Sequence, residues 1–538
     1  MPGLLLLWGA ALALLLLPGL DLPLRDWDEG IVAQVSLERG EALLALLRGE
    51  GSLSDLFLPS YWGAPYLNKP PALHLLASLP QLPWLKAGAL PPPWAVRLMP
   101  ALAASAVVPI TGLISQQLRP KDNAAALASA AIALTLLPLM RHGRLAMLDG
   151  ALVSGAGLLW WQLLRSRWRP GAGSLGPALL AGLAGSALLL LKAPLLLPVL
   201  LAGLALLALD RGLSRTGWWW LLLGLGLGLL PGMGWHLFHG LARGEGALLL
   251  WGADGAGRVL LDAGEGSDQG WRVPVLEVLE GGWPWLPLWP FAVAAAWQQR
   301  RSAAGRWPLG LQLAMAASVL PLRTQLPWYS HILWLPFALL CGPTLAALLR
   351  PKQLKQQPGA ALLRQLPWFW LLLGALLLIG GISQPPPWRP VLLPAGLALL
   401  LGGWGLRPAS PLPWRRRGAI ALIGLWWLAL LALMQGPLWH WELNERNPVA
   451  PGAALARQAD PAQPLALWGM AERPSLSWQS QRQLIPLARL GLPAAGVQLL
   501  GRRPPGGEAP VPQLEGLACD PPRAGEDGWL LWHCRPLP

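Results

Sequence analysis

Two adjacent carboxylates, Asp28 and Glu29, follow the first apolar run of the chain by a few residues. At a membrane surface such a pair can position an acceptor and take its proton. An isolated Asp-Glu in a loop is more often only a solvated charge. Further along stands Tyr66-Leu67-Asn68-Lys69-Pro70-Pro71, where two prolines fix a lysine that can contact a phosphate; a snorkelling lysine beside a proline turn is the plain alternative. Arg141-His142-Gly143-Arg144 precedes Asp149 in a short hairpin. Lys192, in LLLLKAPLLL, is the one charge in a tight turn between two apolar runs. A cation so placed calls for an anionic partner, and a ligand phosphate would serve. Arg323 to His331 form a last polar hairpin, holding Tyr329, one of three tyrosines in the chain. An interfacial aromatic belt is the competing explanation for that tyrosine.

These stretches sit between long apolar runs. Of 538 residues, 54% are hydrophobic and 13% are charged, about half the charge of an ordinary soluble protein. Apolar runs of about 17–25 residues recur throughout, as expected of membrane-spanning helices. Thirteen spans are expected, near 3–20, 94–117, 123–140, 147–164, 175–191, 193–209, 217–239, 284–298, 307–322, 328–348, 366–382, 388–406 and 417–434. The first lacks a basic lead-in and a small-residue cleavage site, so it reads as a retained helix.

Charge orients the spans. Six connections carry basic clusters: around Arg119, Arg167, Arg211, Arg300, Lys352 and Arg416. With thirteen spans and a cytoplasmic N-terminus, all six are cytoplasmic, as the positive-inside rule expects. Only Asp122 and Asp210 of the 27 acids fall on that side. The net charge of +14 is therefore a topology signal and does not point to nucleic acid.

The expected organisation is a membrane domain over 1–434 and a C-terminal periplasmic α/β domain over 435–538. The membrane domain includes outward loops 21–93 and 240–283, the first with helices along the membrane surface. In the tail, LALWGM and GVQLLG read as strands and SLSWQSQRQLIPLARLG as a helix. Cys519 and Cys534 lie fifteen positions apart there, and a disulfide suits an oxidising compartment. His236 and His239 share a helix face, but two ligands make no metal site. The chain has no nucleotide fingerprint.

Taken in order, these motifs resemble a known family. Asp28-Glu29 is followed by Tyr66-x-x-Lys69-Pro70-Pro71, then Trp94-Ala95-Val96-Arg97-Leu98-Met99-Pro100, Arg144-x-x-Met147-Leu148-Asp149, Lys192, and Leu326-Pro327-x-Tyr329. The set is similar to bacterial relatives of protein O-mannosyltransferases and of the aminoarabinose lipid A transferase. The likeness covers residues 1 to about 435, and Arg473-Pro474-Ser475-Leu476-Ser477-Trp478 extends it into the tail. It implies a mainly α, polytopic membrane protein of the GT-C fold, with about thirteen transmembrane helices and a small C-terminal α/β outer domain. It also implies a glycosyltransferase in the plasma membrane. The donor would be a polyprenyl-phosphate sugar, and the acceptor a lipid, glycan or protein on the outer face.

In that reading Asp28 is the general base, with Glu29 and Asp149 beside it in the catalytic set. Lys69, Arg144 and Lys192 bind the donor phosphate. Tyr66, Arg97, Tyr329 and His331 line the substrate pocket. The resemblance implies no definite cofactor, and a divalent metal stays open. The sequence departs from the family pattern in Gly30-Ile31-Val32 after the Asp-Glu pair and in Lys192-Ala193-Pro194 where Lys-Gly is commoner. A transporter or flippase for a lipid-linked substrate is the alternative. It would predict broken helices at mid-membrane and related halves, whereas the charges here cluster at one edge.

Overall fold

A computed structural model describes residues 2–17, 19–169, 171–247, 250, 272–323, 325–436, 449–493, 496–504, 507 and 511–537. Most of the second expected loop, 240–283, lies outside the described residues. The first helices are α1 (Pro2–Leu16), α2 (Asp28–Leu47), α3 (Pro93–Ser105), α4 (Val107–Leu118), α5 (Asn123–Thr135) and α6 (Leu137–Gly143). Then come α7 (Asp149–Ser166), α8 (Leu175–Asp210), α9 (Arg215–Arg243), α10 (Arg272–Gly281), α11 (Trp289–Gln298) and α12 (Ala303–Val319). The last are α13 (His331–Leu348), α14 (Leu366–Ser383), α15 (Arg389–Leu406), α16 (Leu412–Gln435) and α17 (Pro474–Ser480).

Each expected span coincides with helix, and the chain is a multi-pass membrane protein. Among the described residues, seven helical stretches are long and apolar enough to cross a bilayer, or eight if the bent pair α5 and α6 is one span. The rest of the thirteen fall short by length or composition. Helix α1, with 15 residues, rises about 22 Å against a hydrocarbon core of about 30 Å. Helix α11 has 10 residues.

The chain divides into two compact units. The first comprises Met1–Gly19, Leu67–Leu73 and Met99–Gly436, and the second Leu20–Tyr66, His74–Leu98 and the tail from 437. The tail thus packs with most of the first loop, whereas the sequence alone suggested a division at 434.

In the first unit, α8 reverses direction. Residues 175–210 hold two helical arms that meet at Lys192, whose angles are extended, φ −158° and ψ 87°. A Cβ on Gly185 would lie 3.3 Å from a methyl of Leu196. Eleven residues of straight helix would separate the two by about 16 Å, so 175–191 and 193–210 form a hairpin with Lys192 at its turn. Pro194, lacking an N–H, helps end the first arm. Helix α7 packs along both arms. Gly155 faces Leu188, Trp160 Nε1 donates to the Val199 carbonyl at 2.9 Å, and Gly203 faces Leu163. Helix α13 is buried along nearly its whole length; Gly342 lets it approach the Ser129 backbone, which a Cβ would meet at 2.7 Å.

In the second unit, α2 is buried on nearly all sides over residues 29–36, and strands β1 (Ser60–Tyr61) and β2 (Ala64–Pro65) make an antiparallel hairpin. The tail forms a sheet of β3 (Leu465–Leu467), β4 (Ile485–Pro486), β5 (Val497–Arg502), β6 (Leu517–Cys519), β7 (Arg523–Ala524) and β8 (Trp529–Pro536). The strand order is β4-β3-β5-β8-β6, with β7 also on β8; β3 runs parallel to β4 and β5, and β8 antiparallel to its neighbours. The expected strands at 465 and 496 are present. The expected helix over 475–491 is not continuous: α17 ends where Gln481 turns left-handed at φ 58°, and β4 with a four-residue helix follows.

Cys519 opposes Cys534 across β6 and β8, and the two form a disulfide. Closing a loop of this length stabilises a fold by about 3 kcal/mol. Replacing both cysteines with serine should lower the stability of the tail by about that amount, measured by denaturant unfolding. Mass spectrometry of non-reduced peptides that found two free thiols in the native protein would contradict the pairing.

Candidate functional site

The Lys192 hairpin, α7, α12 and the start of α13 line a half-open cavity of about 310 Å³ within the first unit. Its apolar lining includes Leu152, Val153, Leu195, Pro198, Val319 and Ile332. Its polar lining includes Asn68, Lys69, Asp149, Lys192, Tyr329 and His331. Five residues singled out in the sequence, from four separate stretches, therefore share one cavity. The Lys192 ammonium stands over the Tyr329 ring, 4.4 Å from its centre, in a cation–π contact. The kink at Lys192 brings the side chain to the cavity wall. Asp149 is buried in the first turn of α7, where the helix dipole favours a carboxylate. A mostly apolar pocket with two lysines in its lining suits an anionic head on a long apolar tail.

His331 is buried, and its Nε2 lies 2.8 Å from His142 Nδ1. One ring donates and the other accepts, so the pair fixes both imidazoles. This contact joins the two polar hairpins that the sequence showed only as separate. Next to it, Arg141 pairs with Glu277 at 2.9 Å and Glu280 at 3.0 Å. Burial pushes the Glu277 carboxyl up to about 7 against the opposing pull of Arg141. Arg144 is buried too, but its Nη1 donates to the Met434 carbonyl at 3.1 Å. It is not among the residues lining the cavity.

The second unit holds the adjacent carboxylates. Asp28 opens α2 and is half-buried; Glu29 is 1% exposed. Arg97 meets Glu29 side-on, with Nε to Oε1 and Nη2 to Oε2 both at 2.7 Å. The Arg25 amide also donates to Glu29, at 2.9 Å. Arg97 gives its other N–H groups to the carbonyls of Leu20, Leu22 and Pro23, so all five donors are used. Such an arginine anchors the entry to α2 and has no donor left for a substrate. Its sequence context, in an apolar helix, gave no sign of this.

Tyr66 belongs to the second unit, edge-on to His74 at 5.6 Å. Burial raises its phenol above the ordinary value, and the Asp28 carboxylate adds to the effect. Tyr61 beside it is pushed up to about 12, again mainly by burial.

Sequence reasoning passed over Asp26. Its carboxylate accepts from Arg473 Nε at 2.6 Å, from the Ser475 amide at 2.8 Å and from the Ser475 hydroxyl at 2.5 Å. The acidic run Asp26-Trp27-Asp28-Glu29 was the available signal. Among the described residues no group of three or more His, Cys, Asp or Glu side chains could hold a metal ion.

The Arg97–Glu29 pair gives a direct test. Removing one partner of a buried ion pair costs about 3–5 kcal/mol, because the other charge is left uncompensated. Arg97→Ala should cut folded protein in the membrane sharply. Arg97→Lys should fail nearly as badly, since three donors on one nitrogen cannot serve five acceptors. Wild-type thermal stability in Arg97→Lys would contradict the anchoring role.

No protein-family model matches the sequence, and no curated protein matches it either. Solved structures do match. ArnT from Cupriavidus metallidurans in the apo state superposes with a TM-score of 0.67 at 16% identity, over 93% of this chain and 92% of that one. ArnT bound to undecaprenyl phosphate gives 0.69 at 15% identity, over 98% and 97%. The archaeal oligosaccharyltransferase AglB from Archaeoglobus fulgidus, in complex with an inhibitory peptide and a dolichol-phosphate, gives 0.53 at 10% identity, over 93% and 69%. At these identities the shared property is the fold: this chain has the GT-C architecture of ArnT and AglB.

Proposed function

We propose that the protein is a membrane glycosyltransferase that moves a sugar from a polyprenyl-phosphate donor to a lipid, glycan or protein acceptor. The reading places the reaction at the outer face of the plasma membrane. The N-terminus is then cytoplasmic and residues 435–538 form a periplasmic domain, in line with the one-sided acids of the sequence. The observation that carries the proposal is the cavity: a mostly apolar lining that includes Lys69 and Lys192, in the fold of a protein solved with undecaprenyl phosphate.

The chemistry follows from charge. The acceptor hydroxyl attacks the anomeric carbon as the bond from that carbon to the phosphate oxygen breaks. Asp28 takes the hydroxyl proton, and Glu29, held by Arg97, keeps the start of the helix in place. The donor phosphodiester carries one negative charge and leaves as a monoester carrying two. No acid is needed to protonate it. Lys69 and Lys192 stabilise the added charge, as groups aimed at developing charge do best in a dry site. Arg144 contributes at longer range. Asp149 orients a cation or meets the sugar. Inversion at the anomeric carbon is the outcome of one displacement.

Membrane vesicles given labelled polyprenyl-phosphate sugars decide the matter. Asp28→Asn should lower transfer by about 10²–10⁴-fold with protein level unchanged. Full transfer by that variant would sink the base assignment. Lipid translocation by the wild type with no transfer of any sugar would favour the flippase.

A further inference from the structure

The chain is gripped on both sides of Asp28 by one segment of the tail. Two residues before it, Asp26 takes three hydrogen bonds from Arg473 and Ser475. Two residues after it, Gly30 lies against the same backbone. A Cβ there would stand 2.2 Å from the Ser475 amide nitrogen and 2.5 Å from the Pro474 carbonyl carbon. No side chain fits in that space, so a glycine occupies the first turn of a helix that glycine otherwise weakens. Between the two contacts Glu29 is fixed by Arg97. A solvated acidic loop needs none of this.

We propose that Arg473–Ser475 fixes the backbone that presents Asp28, which makes the tail part of the catalytic apparatus. Asp26, Gly30, Arg473 and Ser475 are positioning residues, acting through Asp28. The catalytic consequence rests on the reading of Asp28 as the base; the grip itself does not. Displacing a reacting group by about 1 Å costs about 100-fold in rate. The cavity cations Lys69 and Lys192 belong to the first unit, and none of the substituted residues lines that cavity.

The test uses the full-length protein and Asp26→Asn, Arg473→Ala, Ser475→Ala and the double variant Asp26→Asn/Arg473→Ala. Hydrogen exchange over 27–33 and the steady-state kinetics of transfer are both measured. Exchange should quicken in that segment, where the Ile31 amide bonds the Trp27 carbonyl. The turnover number should fall about 10–100-fold with donor KM within about twofold. The double variant should lose no more than the worse single one, because all act through one contact. Unchanged exchange over 27–33, unchanged turnover, or losses that add in the double variant would overturn the proposal. If Asp26→Asn does not fold, Ser475→Ala carries the test, since it removes one hydroxyl bond and keeps the amide bond. A wild type that transfers no sugar while exchange responds as expected would end the glycosyltransfer reading and leave the grip standing.

Discussion

An ammonium group at the turn of an apolar hairpin sets the terms for the rest of the first unit. Lys192 ends one arm of a long apolar helix and begins the other. A cation in such apolar surroundings is costly and marks a functional position. The Tyr329 ring faces it, and Lys69 and Asp149 line the same cavity. The surrounding surface is apolar. The proposed donor, a phosphate on a long hydrocarbon, matches a pocket that has both cationic and apolar lining.

The second unit solves a different problem, that of holding a carboxylate where the chain leaves an apolar helix. Arg97 spends its five donors on Glu29 and three carbonyls. The pairing is bidentate, buried and closed, so it sets the geometry of the helix start from which Asp28 projects. Asp26 and Gly30 bring the tail to the same few residues.

Much of the architecture was legible because bilayers demand long apolar runs. The helices fall where those runs fall, and the reversal at Lys192 was visible as one charge between two of them. Lys69, Asp149, Lys192, Tyr329 and His331 stood out because polar residues are rare in such sequence, and they share a cavity. The role of Arg97 was not legible. An arginine that caps carbonyls and one that binds a ligand look alike in sequence; only the acceptors around them differ. The bond between His142 and His331 spans 189 residues, and that between Asp26 and Ser475 spans 449. Contacts at such separation leave no local periodicity to read. The break at Gln481 was missed because a left-handed residue other than glycine carries little signal.

The central claim is that the cavity receives a polyprenyl phosphate, and binding of the lipid alone tests it without any acceptor. Native mass spectrometry of the purified protein, titrated with undecaprenyl phosphate and with undecaprenol, measures both affinities. The account predicts tight binding of the phosphate, much weaker binding of the alcohol, and a loss of about tenfold or more in phosphate affinity for Lys192→Ala. Equal affinity for alcohol and phosphate, or unchanged affinity in Lys192→Ala, would contradict it.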